Sequence, residues 1–261
     1  MPSKHRVGPR ITVRPVGPTA EIVLGTGGSR NALGREDWRE LERIFRELAL
    51  DDRVRAVLVR GGGATFSAGS DIREWVHAGP DDVEQSFVRM EAACTAIEEL
   101  PVPVIAEVSG VAAGAGCQVA LACDLRVLAD TARIGMPIAR LGILVSPSFA
   151  ARLTVLVGHG LARELLYTGR LVGADEAVRL GLANRSVPAD RLAGVTAELI
   201  NTIVAQPRPA LVAAKQAVSV ALSPVRAAAH SFVTGPAVSY EDFQRGVTTF
   251  LSGGRKQPPQ R

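Results

Sequence analysis

Aromatic side chains make up only 4% of this 261-residue sequence. That leaves little for the stacking platforms on which proteins hold single-stranded nucleic acid, and only the first ten and last seven residues are clearly basic. Net charge is +4, from 30 basic and 26 acidic residues with the signs interspersed. Nucleic acid is therefore not the expected partner, and the small excess suits a small polyanionic ligand equally well. No apolar run reaches the roughly 20 residues that span a bilayer, so no membrane is expected. The first residues, MPSKHRVGPRITV, lack the apolar segment of a secretory signal, and a cytoplasmic location is expected. Cysteine is sparse too. Cys94, Cys117 and Cys123 lie in apolar stretches, without CxxC spacing, which points to buried thiols rather than disulfides or zinc.

Several catalytic signatures are missing: there is no GxSxG, SxxK or GxxxxGK[ST]. GTGGSRN (25–31) lacks the third glycine of a dinucleotide fingerprint. His5, His77, His159 and His230 are scattered without metal-ligand spacing, and His159 reads as a surface or capping residue in the turn VGHGLA.

What is present is a regular alternation. RITVRPV (10–16) and AEIVLG (20–25) read as strands, and REDWRELERIFREL places Trp38, Leu41, Ile44, Phe45 and Leu48 on one helix face. VRAVLVRG (54–61) is a strand, 80–100 a helix, PVIAEVSG (103–110) a strand, and DLRVLAD (124–130) another after a helix from about Ala115. Such alternation implies an α/β fold. After about residue 146 the pattern turns helical, interrupted at Gly158, Gly169, Gly181, Pro207 and Pro224. We expect a core over 1–200 and a helical region for oligomerisation over 201–261.

Two loops share a design. FSAGSDI (66–72) and VAAGAGCQ (111–118) each leave a strand through small residues and enter a helical turn. Small residues let backbone approach a ligand, and helix N-termini present unpaired N–H groups. If the loops converge, they offer the donor pair of an oxyanion hole; if not, they are tight turns chosen for packing.

RNAL (30–33), FSAGSDI (66–72), PVPVIAEVSGVAAGAGCQVALACDLRVLAD (101–130), LGI (141–143), LLYTGRLVGADEAVRLGLANRSV (165–187) and EDFQRGVTTFLSGGRK (241–256) occur in one order along the chain. Together they resemble the crotonase (enoyl-CoA hydratase/isomerase) superfamily over nearly the whole sequence. The resemblance implies a spiral of ββα turns, a homotrimer or dimer of trimers, and lyase or isomerase chemistry of fatty-acid metabolism on an acyl-CoA thioester. It implies no cofactor beyond the coenzyme A of the substrate. By position, the amides of Ser70 and Ala115 would form the oxyanion hole. Arg30 and Ala32, the stretch Ala68 to Ile72 with Asp71, then Arg73, Phe250, Arg255 and Lys256 would face the coenzyme A.

In that family, hydratases use two glutamates. The positions that match them here are Gln118 and Ile138, and neither an amide nor an alkyl group exchanges protons at neutral pH. Relatives with an acid in a later turn match Ser146 here, in GILVSPSF. Ser146 reads either as a substrate contact or as a helix cap followed by Pro147. Gln118 reads either as a structural amide or as one that orients the acyl group or a water. The pairing of GCQ with the later serine also resembles an unusual subgroup of enoyl-CoA-hydratase-domain proteins. Asp71 reads as a capping residue, and Glu107 as a strand residue paired with one of the 27 arginines. Two functions follow as expectations. One is an enzyme that stabilises a thioester enolate for isomerisation, slow hydration or decarboxylation; the other is a non-catalytic acyl-CoA binding or carrier protein.

Overall fold

The computed structural model describes residues 10–231 and 235–252. Six strands form the larger sheet: β1 (Thr12–Val16), β2 (Thr19–Leu24), β3 (Ala56–Gly61), β4 (Val104–Val108), β6 (Leu125–Ala129) and β9 (Arg185–Val187), in the order β1-β2-β3-β4-β6-β9. Only the β1–β2 pair is antiparallel. The parallel strands β2, β3 and β4 read as nearly continuous apolar runs because both their faces are covered. One row across the sheet runs Ile22, Val59, Ala106, Arg126. The edge strand β1 is exposed throughout and carries Arg14 and Pro15, which discourage pairing with another chain.

A smaller sheet joins β5 (Val111–Ala113), β7 (Arg133–Gly135) and β8 (Leu171–Gly173) in the order β5-β7-β8. Two single bridges, Leu33 to Ser70 and Ser67 to Ala112, extend it. Each turn of the chain visits the larger sheet, then the smaller, then a helix: α1 (Arg35–Leu48), α2 (Pro80–Glu99), α3 (Ala115–Ala122) and α4 (Pro147–Thr168) close successive turns. This is the ββα spiral that the resemblance implies.

α1 buries Trp38, Leu41, Ile44 and Phe45, and its start is fixed by the Asp37 carboxylate, which accepts from the Gly34 N–H at 2.8 Å. Past α4 come α5 (Ala174–Arg179), α6 (Leu192–Val204), α7 (Arg208–Ser231) and α8 (Tyr240–Leu251). α8 folds back on the 3₁₀ turns 72–75 and 137–141. There Phe243 packs against Trp75, with ring centroids 5.4 Å apart, and Trp75 stacks on Phe87 of α2 at 5.6 Å. Each such pair adds about 0.5–1.5 kcal/mol beyond its buried area.

Two details differ from the sequence expectation. The second half is not purely helical, because β8 and β9 pass through it; three residues are too few to display alternation. Pro224 does not interrupt α7. A proline there has no N–H for the Val220 carbonyl, and the Ser223 hydroxyl donates to that oxygen instead, at 2.8 Å.

Candidate functional site

The two small-residue loops converge. Ser67 N–H donates to Val111 O and Ala113 N–H to Ser67 O, both at 3.0 Å. At Gly69, where φ is +99°, a Cβ would stand 2.7 Å from Ala113 O and 2.9 Å from Ala115 N. A Cβ on Gly116 would come within 2.4 Å of Ser67 O. Only glycine allows this approach. The loop is fixed from the other side as well: the Ser67 hydroxyl donates to Asn31 O at 2.8 Å and accepts from Gly69 N–H at 3.1 Å, while Ala68 N–H reaches Arg30 O at 2.9 Å. Arg30 itself belongs to a left-handed turn, Ser29 to Asn31, whose three φ values are 51°, 51° and 55°. Asn31 anchors that turn by donating to Gly62 O and Thr65 O at 2.9 and 2.6 Å.

Convergence brings Ser70 and Ala115 to one cleft. Among the hydrogen bonds of the described residues, neither Ser70 N–H nor Ala115 N–H is donated. Ala115 opens α3, whose first turn has N–H groups without intrahelical partners. The opposite end of α3 is closed by buried Arg126, which donates to Cys123 O at 2.6 Å and to Ala120 O at 3.3 Å. Its positive charge sits where the helix dipole favours a cation.

One turn into α3, Gln118 is 2% exposed. Its Oε1 accepts from Nη1 of Arg152 on α4 at 3.2 Å. A guanidinium offers only donors, so this bond fixes the amide with its NH₂ directed elsewhere. Arg152 also holds two carboxylates of α2: Glu91 at 2.5 and 3.0 Å, and Glu98 at 3.0 Å through each of two nitrogens. Burial pushes the Arg152 pKa down, but the hydrogen bonds to Glu91 and Glu98 and the carboxylate charge beside it outweigh that and hold it above the ordinary arginine value. Burial raises the neighbouring Cys94 thiol to about 12, so that thiol stays protonated.

A cleft of about 1310 Å³ gathers these pieces. Apart from Gly69, the described residues that the resemblance assigns to catalysis or to coenzyme A line it: Ser70, Ala115, Gln118 and Ser146, together with Arg30, Ala32, Ala68, Asp71, Ile72, Arg73 and Phe250. Ile138 lines it too. Arg255 and Lys256 lie outside the described residues. Ser146 caps α4, its Oγ accepting from Phe149 N–H at 3.2 Å with Pro147 next in the helix, as the capping reading expects. Asp71 caps the 72–75 turn and is doubly bonded by Arg73 at 2.8 and 2.7 Å. Burial raises the Asp71 pKa, but Arg73 outweighs it and leaves it below the ordinary aspartate value. Glu107 lies on β4 away from the cleft, near Thr196 and Arg60. His159 is exposed beside the Gly158 kink of α4.

Sequence reasoning passed over Glu91, Glu98 and Arg152. Glu84, Glu91 and Glu98 recur every seven residues along α2 and read as a solvated acidic row, so nothing local sets Glu91 and Glu98 apart.

Comparison with known proteins agrees with this architecture. The profile of the Enoyl-CoA hydratase/isomerase family matches residues 19–258. The short-chain-enoyl-CoA hydratase of Clostridium acetobutylicum is 32% identical over 241 residues, covering 90% of this chain and 92% of its own. A putative enoyl-CoA hydratase/isomerase of Bacillus subtilis is 33% identical over 231 residues, covering 88% and 86%. Among solved structures, a probable enoyl-CoA hydratase from Mycobacterium smegmatis superposes with a TM-score of 0.78 at 30% identity, covering 94% of this chain and 96% of that one. With the profile spanning most of its length and its ββα spiral shared with these structures, the chain belongs to the enoyl-CoA hydratase/isomerase family.

Proposed function

We propose that this protein binds an acyl-CoA thioester and stabilises its enolate, with chemistry that departs from two-glutamate hydration. The observation that carries the reading is the pair of undonated N–H groups, Ser70 and Ala115, presented at one cleft by loops packed too closely for any side chain between them. A thioester carbonyl oxygen seated there gains negative charge as the α-carbon loses a proton. Fixed donors aimed at that oxygen are each worth about 2.7–4 kcal/mol of barrier. Arg30 and Arg73, which line the cleft, suit the phosphates of coenzyme A, the stretch Ala68 to Ile72 suits its adenine, and Phe250 suits a further contact with it.

Gln118 and Ile138 stand at the positions that match the two hydratase glutamates, and neither transfers a proton. With its oxygen engaged by Arg152, Gln118 serves as a hydrogen-bond donor toward the acyl group or a water. Names of relatives support the substrate class: the Clostridium acetobutylicum protein is called a short-chain-enoyl-CoA hydratase.

The deciding experiment incubates purified protein with saturated, enoyl and malonyl-type CoA thioesters in heavy water and reads the products by mass spectrometry. Deuterium at the α-carbon, a shifted double bond, added water or lost carbon dioxide each identifies an enolate reaction. Thioesters that bind and remain unchanged would replace this reading with that of an acyl-CoA carrier.

A further inference from the structure

Enolate formation needs a group to take the α-proton, and the residues so far assigned at the cleft include none that does so. Four carboxylates line the cleft: Asp71, Glu84, Glu91 and Glu99. Asp71 caps the 72–75 turn and takes three bonds from Arg73, two from its guanidinium and one from its backbone N–H, so the turn itself occupies it. Glu84 accepts from Ala237 N–H at 2.8 Å, and it lies seven residues from Glu91 along α2, about 10 Å of helix. Glu99 is the exposed last residue of α2, about 12 Å beyond Glu91 in the other direction.

Glu91 is placed differently. One nitrogen, Nη1 of Arg152, donates both to Glu91 Oε2 at 3.0 Å and to Gln118 Oε1 at 3.2 Å. The carboxylate therefore stands within two hydrogen bonds of the amide that follows Ala115 by one helical turn. An ionised carboxylate has about four acceptor sites, and Arg152 occupies one on each oxygen of Glu91, leaving the others open. The side chain of Glu91 is 24% exposed and lines the cleft, whereas that of Glu98, the other partner of Arg152, is 10% exposed and does not.

Resting on the enolate reading above, we propose that Glu91, delivered from α2, is the base that moves the substrate proton in this site. The same network accounts for the amide at 118: an acid there would be a third carboxylate on a guanidinium that already serves two. In the step, a Glu91 oxygen takes the α-proton, the C–H electron pair becomes the enolate, and the oxygen charge rests on the Ser70 and Ala115 N–H groups. Returning that proton to the γ-carbon of a 3-enoyl thioester moves the double bond into conjugation. A single base completes this cycle without water, so allylic isomerisation is the reaction that the arrangement serves best.

The test follows deuterium uptake at the α-carbon of short- and medium-chain saturated acyl-CoA in heavy water, together with isomerisation of 3-enoyl-CoA. E91Q, which keeps size and loses basicity, is expected to slow both by roughly 10²- to 10⁴-fold while acyl-CoA affinity changes less than a few-fold. E98Q weakens the same guanidinium from outside the cleft and is expected to lower the melting temperature comparably while retaining exchange to within about tenfold. Equal losses in the two variants, or full exchange in E91Q, would overturn the proposal and reduce Glu91 to a support for Arg152. A wild-type protein that binds acyl-CoA without exchange or turnover would instead remove the enolate reading itself. A measurement that needs no variant uses a 2,3-epoxyacyl-CoA, whose ring a carboxylate oxygen opens to form an ester, the alkoxide taking a proton from water. Peptide mapping should find that ester on Glu91, and finding it elsewhere or not at all would also overturn the assignment.

Discussion

Gly69 concentrates the demands of the site into one backbone position. Its φ of +99° suits only glycine, and a Cβ there would press on both Ala113 O and the Ala115 N–H of the proposed oxyanion hole. G69A is expected to cost about 1–3 kcal/mol in strain and to lower turnover roughly 10²- to 10³-fold, as loss of one oxyanion donor does. Denaturant melts and steady-state rates measure the two separately. An active, equally stable G69A variant would mean that the loops do not need their close approach. This residue was legible in the sequence, since small residues after a strand announce backbone contact. Glu91 and Arg152 were not. A buried ion pair across helices far apart in sequence leaves no local pattern, and an acid on an amphipathic helix looks like any solvated one.

At the scale of elements, Arg152 ties α4 to α2 and to Gln118 of α3, each bond made with little water nearby. R152M would leave Glu91 without its cation and Glu98 with only the longer contact to Arg226 at 3.5 Å, and breaking a buried pair this way costs about 3–5 kcal/mol. Urea titration monitored by circular dichroism should show that loss, and an unchanged midpoint would count against the network. The larger sheet supports a prediction of opposite sign. Burial raises the Glu107 pKa above its ordinary value of about 4.5, with the Thr196 hydroxyl and Arg60 offsetting it only in part. A carboxylate whose folded pKa is raised destabilises the fold once the pH exceeds that pKa, and has no such effect below the unfolded value. E107Q should therefore melt higher than the wild type at pH 7, and the difference should vanish below about pH 4. The sequence announced α1 and α2 through the spacing of their apolar residues. It hid the three-residue strands, and Pro224 hid the continuity of α7, because a tertiary or side-chain partner decides each of these.

For the whole molecule, the C-terminal helices face two ways. Ala229 of α7 and Phe250 and Leu251 of α8 line the cleft. Yet Val218 and Val225, seven residues apart on one face of α7, are 61% and 44% exposed, and Phe250 is 62% exposed. Apolar side chains aligned on one helix face, next to a binding cleft, call for a cover. We propose that neighbouring copies of the chain supply it in a trimer or a dimer of trimers, so that assembly completes the rim of the acyl-CoA site. Light scattering on the purified protein should give the mass of three or six chains. V218D/V225D, which places two charges on that face, should lower the mass and weaken acyl-CoA binding together. A monomeric wild type would remove the assembly. A V218D/V225D variant that dissociates yet binds acyl-CoA as tightly as before would show that each chain holds its ligand unaided.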